Sequence, residues 1–127
     1  MHYCKILITF FFALFAATGA LAEHTDHVTF ESLDTYPGAA AQPSAEITAL
    51  LTLPDQGEGP FPAVIMLHGC SGLENNHNRW ARLLANWGYA SLRVDSFNPR
   101  EIDEICTDIL RPVPRGADVN GAIVFLQ

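Results

Sequence analysis

The sequence predicts an α/β fold in which two antiparallel strands are followed by a parallel strand–helix–strand unit, and three observations support this prediction. Apolar residues alternate with other residues over 27–33 and again over 47–53, as in strands with one buried face. Residues 62–67 are apolar at every position, as in a strand buried on both faces of a sheet. Apolar residues at helical spacing then precede a further alternating segment at 89–94, which predicts a parallel crossover.

The helix of this crossover is predicted from four apolar side chains at intervals of three and four residues, which place them on one helix face in the core. They are Trp80, Leu83, Leu84 and Trp87. Gly88 stands where a glycine commonly ends a helix. A loop with three prolines follows over 95–114, and apolar residues at helical spacing after Gly116 predict a second helix. These elements make an incomplete α/β sheet.

The amino-terminal residues have the layout of a secretory signal peptide. Lys5 supplies a positive charge, residues 6–17 form an almost unbroken apolar run, and residues 19–22 form a cleavage site of small side chains. We expect cleavage to divide the chain into a signal peptide of residues 1–22 and a mature domain of residues 23–127. The alternative is an uncleaved membrane anchor, for which the apolar run is short. Export to the periplasm or the medium is therefore expected, with no membrane contact after cleavage.

Composition restricts what the expected mature chain can bind. Six arginines and no lysine stand against fourteen acidic residues, a formal charge of −8. Because phosphate contacts need cationic side chains, we expect no nucleic-acid partner. His24 and His27, with Glu23 and Asp26 beside them, could bind a metal weakly, but we interpret them as polar residues of a tail. We expect neither a metal nor a cofactor.

The candidate site is the glycine-rich turn His68-Gly69-Cys70-Ser71-Gly72, which directly follows the uniformly apolar segment. Open α/β sheets bind ligands at the carboxyl ends of their strands. A glycine-rich turn at such an end lets backbone N–H groups face a cavity, where they can stabilise the oxyanion of an acyl-transfer intermediate. The alternative is that the glycines only permit a tight turn.

Cys70 and Cys106 are the two cysteines of the expected mature chain, an even number in an oxidising compartment. Four interpretations are open. The pair forms a disulfide between the turn and the long loop, or both are buried free thiols, or Cys70 is a nucleophile activated by His68, or the two form a redox-active pair. We favour the disulfide, which leaves the backbone N–H of Cys70 free to act.

Other polar residues near the turn have structural interpretations. Asp95 follows a predicted strand and is expected to hold a loop by accepting backbone hydrogen bonds. His77 is interpreted as a solvated residue at a helix start, although it could contact a substrate. Arg93 and Arg100 are expected in surface ion pairs of small energy.

Taken in order, these motifs resemble an exported dienelactone hydrolase-type α/β-hydrolase, in its N-terminal portion only. The resemblance covers most of the mature chain. It rests on residues 63–73, Trp80 with Leu83 and Leu84, residues 87–90, residues 94–100, Cys106 and residues 115–118.

The resemblance implies hydrolysis of a small carboxylic ester or lactone through a covalent acyl-enzyme. It also implies that the backbone N–H of Cys70, after His68 and Gly69, is an oxyanion donor. Gly69 stands where dienelactone hydrolases proper carry a glutamate, so true dienelactone hydrolysis does not follow. Glu101 stands where related sequences tend to have glycine.

The nucleophile of that fold lies on a G-x-S-x-G elbow or its cysteine variant, followed by the acid and then the histidine. No such motif occurs in the 127 residues. Ser71 comes nearest, but Leu73 replaces the second glycine. We therefore expect a truncated domain that lacks nucleophile, acid and base and is inactive by itself. The alternative is a non-catalytic exported fragment, or a small binding module that uses the same cleft.

Overall fold

The computed structural model describes residues 24–33, 45–108 and 110–127, so the expected signal peptide and its cleavage site lie outside the described residues. A short 3-10 helix spans Asn98–Arg100. The other elements, in chain order, are β1 (Thr25–Glu31), β2 (Glu46–Thr52), β3 (Ala63–Leu67), α1 (Asn75–Asn86), β4 (Ala90–Asp95) and α2 (Arg115–Phe125). The strands begin and end within two residues of their predicted positions.

The four strands form one mixed sheet in the order β1-β2-β4-β3. β1 pairs antiparallel with β2, and β2 pairs antiparallel with β4. β3 and β4 are parallel neighbours, and α1 connects them, with Ile65 opposite Leu92 in the register. The antiparallel opening pair and the parallel strand–helix–strand unit are therefore confirmed, and the chain belongs to the α/β class.

The two helices cover opposite faces of β4, because successive side chains of a strand point to opposite sides. Leu92 and Val94 are fully buried in a cluster that includes Ala122 of α2. Arg93, between them, hydrogen-bonds to Asn78 of α1. β4 is therefore buried at all six positions.

The expectation that residues 62–67 form a strand buried on both faces is wrong. Every residue of β3 is exposed or partly exposed, and Leu67 keeps 42% of its surface accessible. In the described part of the chain β3 pairs only with β4, so one of its edges is unpaired there. The strand buried on both faces is β4, whose neighbours are β2 and β3.

The tryptophans of α1 also depart from expectation. Trp80 and Trp87 are 53% and 60% exposed rather than buried in a core. Helix α1 packs against the sheet through Ala81, its one fully buried residue. Gly88 does follow the end of α1 with a φ of 85°, the left-handed conformation in which glycine commonly ends a helix.

Candidate functional site

The turn at residues 68–72 directly follows the carboxyl end of β3. Gly69 and Gly72 form an isolated antiparallel bridge, and Gly72 has a φ of 83°, which glycine adopts without strain. His68 and Gly72 are buried, whereas Gly69, Cys70 and Ser71 between them are exposed. The turn therefore presents the Gly69–Cys70 peptide at the surface, beside the end of an exposed strand rather than an interior one.

The His68 side chain is fixed by a hydrogen bond at each ring nitrogen. The backbone N–H of Ser96 donates to Nε2 at 3.2 Å, so Nε2 carries a lone pair. Nδ1 lies 2.8 Å from the carbonyl oxygen of Gly69 and must therefore be the protonated nitrogen that donates. The ring also meets Phe97 edge-on, with centroids 4.3 Å apart. His68 thus ties the turn to the residues after β4 through both of its ring nitrogens.

Arg115, the first residue of α2, also reaches the turn. Its Nη1 donates to the carbonyl oxygen of His68 at 3.0 Å, and its Nη2 donates to that of Gly69 at 3.2 Å. The guanidinium lies 5.0 Å from the ring centroid of Phe97, within cation–π distance. In the sequence, Arg115 stands out only as part of the segment 115–118 that carries the family resemblance, and nothing there places it at the turn.

Cys70 and Cys106 form a disulfide in the structure. The backbone N–H of Ile105 donates to the carbonyl oxygen of Cys70 at 2.8 Å, so the long loop is attached to the turn at two neighbouring points. A bonded sulfur offers no thiolate, so the structure does not support the alternatives of a nucleophilic Cys70 or two free thiols. The Cys70 N–H donates to no acceptor among the residues that the structure describes.

We expect the loss of this disulfide to lower the free energy of unfolding by about 2–4 kcal/mol, because it closes a loop between residues 36 positions apart. Urea denaturation of the Cys70→Ser, Cys106→Ser double variant measures the loss. Thiol titration of the unfolded, unreduced chain that begins at Glu23 should find no thiol, and two after reduction. Two thiols before reduction would contradict the pairing.

The loop around Cys106 is organised by one carboxylate. The Thr107 hydroxyl, then the backbone N–H groups of Thr107 and Cys106, donate to Glu104 and hold the pKa of its carboxyl below the usual range.

A lowered folded-state pKa means that this stabilisation is fully present above the ordinary glutamate pKa of about 4.3 and is lost as the pH falls through the lower value. We therefore expect the amide shifts of Cys106 and Thr107 to change together with a midpoint below the ordinary range. An NMR pH titration tests this, with Glu104→Gln as the control that should lack the transition. A midpoint at or above the ordinary range would contradict the account.

Two smaller expectations can be compared with the structure. Asp95 does hold a loop, since its Oδ1 accepts hydrogen bonds from the N–H groups of Phe97 and Asn98, both at 3.0 Å. His77 lies at the start of α1, where its Nδ1 accepts from the N–H of Glu74 at 3.0 Å and caps the helix. It is partly buried rather than fully solvated.

The expectation of surface ion pairs for Arg93 and Arg100 is wrong. Arg93 is 3% exposed, and its Nη2 donates to the Thr52 hydroxyl at 3.0 Å. Arg100 forms an ion pair with the fully buried Asp118, whose Oδ1 lies 2.7 Å from Nη2 of the arginine and also accepts from Ser32 at 2.7 Å. These pairs connect elements distant in sequence, which local pattern does not show.

An open groove of about 430 Å³ lies between β3 and α1, next to the turn. Its lining is mainly apolar and includes Met66, Leu67, Trp80 and Leu84, with His77 at the end nearer the turn. The groove provides space for a small organic molecule beside the exposed peptide.

The expectation that His24 and His27 belong to a tail is wrong, because His27 lies in β1 opposite Leu50 of β2 and His24 directly precedes that strand. His24 Nε2 lies 3.0 Å from Asp26 Oδ1, and both side chains are largely exposed. Over 24–33, 45–108 and 110–127, no three His, Cys, Asp or Glu side chains are grouped closely enough to hold a metal ion. The helices in those ranges include none with the length and apolarity needed to cross a membrane.

A protein of Yersinia pestis named "Putative carboxymethylenebutenolidase" is 30% identical to this chain over 107 residues. The similarity covers 75% of this chain and 39% of the relative, so the chain spans about two fifths of the relative's length. No family model matches the sequence. The relative supports the resemblance to hydrolases at the level of the family, and the mixed sheet is compatible with part of such a fold.

Proposed function

We propose that this chain is the oxyanion-stabilising portion of an exported dienelactone hydrolase-like protein, which in its complete form cleaves small carboxylic esters or lactones. The observation that supports the proposal most is the exposed Gly69–Cys70 peptide after β3, held by His68 and Arg115. The Yersinia relative, whose name denotes a lactone-cleaving enzyme, supports the choice of substrate class.

The chemistry follows from the geometry of the turn. Attack on an ester carbonyl gives a tetrahedral intermediate whose oxygen becomes negatively charged, and the Cys70 N–H would donate to that oxygen. Removing one such donor typically lowers kcat about 10²- to 10³-fold. The attacking group would come from an elbow motif that the 127 residues lack. The chain by itself would therefore form no acyl-enzyme.

An assay with p-nitrophenyl acetate tests this proposal in two arms. The 127-residue chain should release no stoichiometric burst of p-nitrophenol. A product extended by the downstream reading frame, if that frame encodes an elbow serine or cysteine, should give a burst that alanine at the elbow abolishes. A burst from the short chain, or none from such an extended product, would contradict the proposal.

Export is part of the same proposal, with residues 1–22 as a signal peptide and residues 23–127 as part of a hydrolase-like domain. The disulfide between Cys70 and Cys106 supports it, since disulfides persist in oxidising compartments. Mass spectrometry of the exported protein should find a chain that begins at Glu23. A full-length chain retained in the membrane would contradict cleavage.

The groove beside α1 favours a second candidate, a small non-catalytic binding module. Its apolar lining and the half-exposed Trp80 suit a ligand with an aromatic or aliphatic group. In that case an apolar ligand should change tryptophan fluorescence saturably in the wild-type chain and not in Trp80→Ala, while no acyl-enzyme forms in any extended product.

A further inference from the structure

We propose that Arg115 and His68 are positioning residues that together fix the direction of the Cys70 N–H bond. A peptide group is planar, and its N–H points opposite to its C=O. The N–H of Cys70 and the carbonyl of Gly69 belong to the same peptide group. Whatever holds the Gly69 oxygen therefore sets where the Cys70 N–H points.

Two side-chain donors hold that oxygen. His68 Nδ1 lies 2.8 Å from it and Arg115 Nη2 lies 3.2 Å from it, so both lone pairs of the carbonyl have a partner. The donors are held by different parts of the fold, because the His68 ring is anchored by the N–H of Ser96 after β4 and Arg115 belongs to α2. Rotation of the Gly69–Cys70 peptide would break both hydrogen bonds.

The guanidinium has a fixed orientation of its own. Its second nitrogen donates to the His68 carbonyl at 3.0 Å, and its Cζ lies over the ring of Phe97, 5.0 Å from the centroid. The planar guanidinium therefore donates to two successive carbonyls of the turn. The single ammonium of a lysine is less suited to such a paired contact. Helix α2 is itself held in place three residues later by the pair of Asp118 with Arg100.

The disulfide does not hold the Gly69–Cys70 peptide and has a different structural role. It restrains the Cys70 side chain, and the Ile105 N–H holds the Cys70 carbonyl, which belongs to the next peptide group along the chain. Arg115 and His68 are thus the side chains that hold the plane of the Gly69–Cys70 peptide, beside the backbone bridge of Gly69 with Gly72. The functional importance of this orientation rests on the proposed oxyanion role of Cys70. That Arg115 and His68 orient the Cys70 N–H does not depend on that role.

Residual dipolar couplings report the direction of an N–H bond and test this inference on the labelled full chain. In Arg115→Ala, the Cys70 coupling should fall at least twofold or change sign, while the couplings of β4 stay as in the wild type. Arg115→Lys should not restore it. Arg82→Ala, which removes an exposed arginine of α1, should leave it unchanged. An unaltered Cys70 coupling in Arg115→Ala would overturn the inference.

A measurement on the unsubstituted chain covers the case in which a variant does not fold. The ring ¹⁵N spectrum of His68 should show a proton on Nδ1, and the opposite tautomer, with its proton on Nε2 alone, would overturn its assigned role. Neither test involves a substrate. If the oxyanion proposal fails, the Cys70 amide does not respond to an anion. If the positioning fails, the Cys70 dipolar coupling or the His68 tautomer differs from expectation, so the two failures are distinguishable.

Discussion

A Gly121→Ala variant is expected to lose about 3 kcal/mol or more of its free energy of unfolding, because helix α2 touches β1 at this glycine. A Cβ at position 121 would overlap the carbonyl oxygen of Glu31 and lie 3.0 Å from Cδ2 of Phe30. Backbone atoms of a paired strand cannot rotate away as a flexible side chain can. The helix must therefore move off the sheet, which also disturbs Asp118 and Arg115 on the same helix.

The matched control is Gly116→Ala in the same helix, where an added Cβ meets no atom within 4 Å. Alanine is the better helix former, so this variant should be neutral or more stable by up to about 1 kcal/mol. Urea denaturation of both variants gives the comparison. Similar stabilities for the two would show that α2 does not pack closely against β1.

Asp118→Ala should cost about 3–5 kcal/mol, since it leaves the buried end of Arg100 without its counterion. Asp118 is fully buried, accepts from the Ser32 hydroxyl at 2.7 Å, and receives both terminal nitrogens of Arg100 at 2.7 and 3.0 Å. This loss includes the cost of leaving the Arg100 charge unpaired. It therefore does not equal the net contribution of the ion pair to the free energy of unfolding.

A double-mutant cycle separates these contributions. Arg100→Ala alone should also be strongly destabilising, and the Asp118→Ala, Arg100→Ala pair should cost clearly less than the sum of the single variants. Asp55→Ala, in an exposed turn, is the control and should change stability by less than about 0.5 kcal/mol. If Asp118→Ala unfolds the chain, Asp118→Asn preserves the shape for the measurement. A cost below about 1 kcal/mol for both substitutions of Asp118 would contradict the buried pair.

The strands and helices of this fold could be predicted because each one leaves its own pattern of apolar residues or glycine over neighbouring positions. The alternation over 47–53 and 89–94 locates β2 and β4 to within one residue, and Gly88 marks the end of α1. The loop-holding role of Asp95 could also be predicted, since its partners are two and three residues away.

Burial could not be predicted in the same way. The apolar run 62–67 looks like an interior strand, but in the described residues its exposure depends on β3 having a single strand neighbour. Arg93 and Asp118 are polar residues that would be placed at the surface by type. They are buried because partners distant in sequence, such as Thr52 and Ser32, satisfy their hydrogen bonds.

The glycines of the turn identify the candidate site in the sequence. The side-chain contacts that hold the turn could not be predicted from it. The sequence points to the turn at 68–72 and to the pair Cys70 and Cys106. The contacts of Arg115 with the turn span about 47 positions along the chain and leave no periodic signal. An arginine at the first position of a helix looks like any solvated arginine until the tertiary structure is known.

The central claim is that the Cys70 N–H points to a place where a negatively charged oxygen can lie. Titration of the ¹⁵N-labelled chain with acetate, at constant ionic strength kept with sodium chloride, tests it directly. We expect a saturable downfield shift of the Cys70 amide proton, which is reduced in Arg115→Ala and absent for distant exposed residues such as Glu58. No shift at Cys70, or equal shifts at Cys70 and Glu58, would contradict the account.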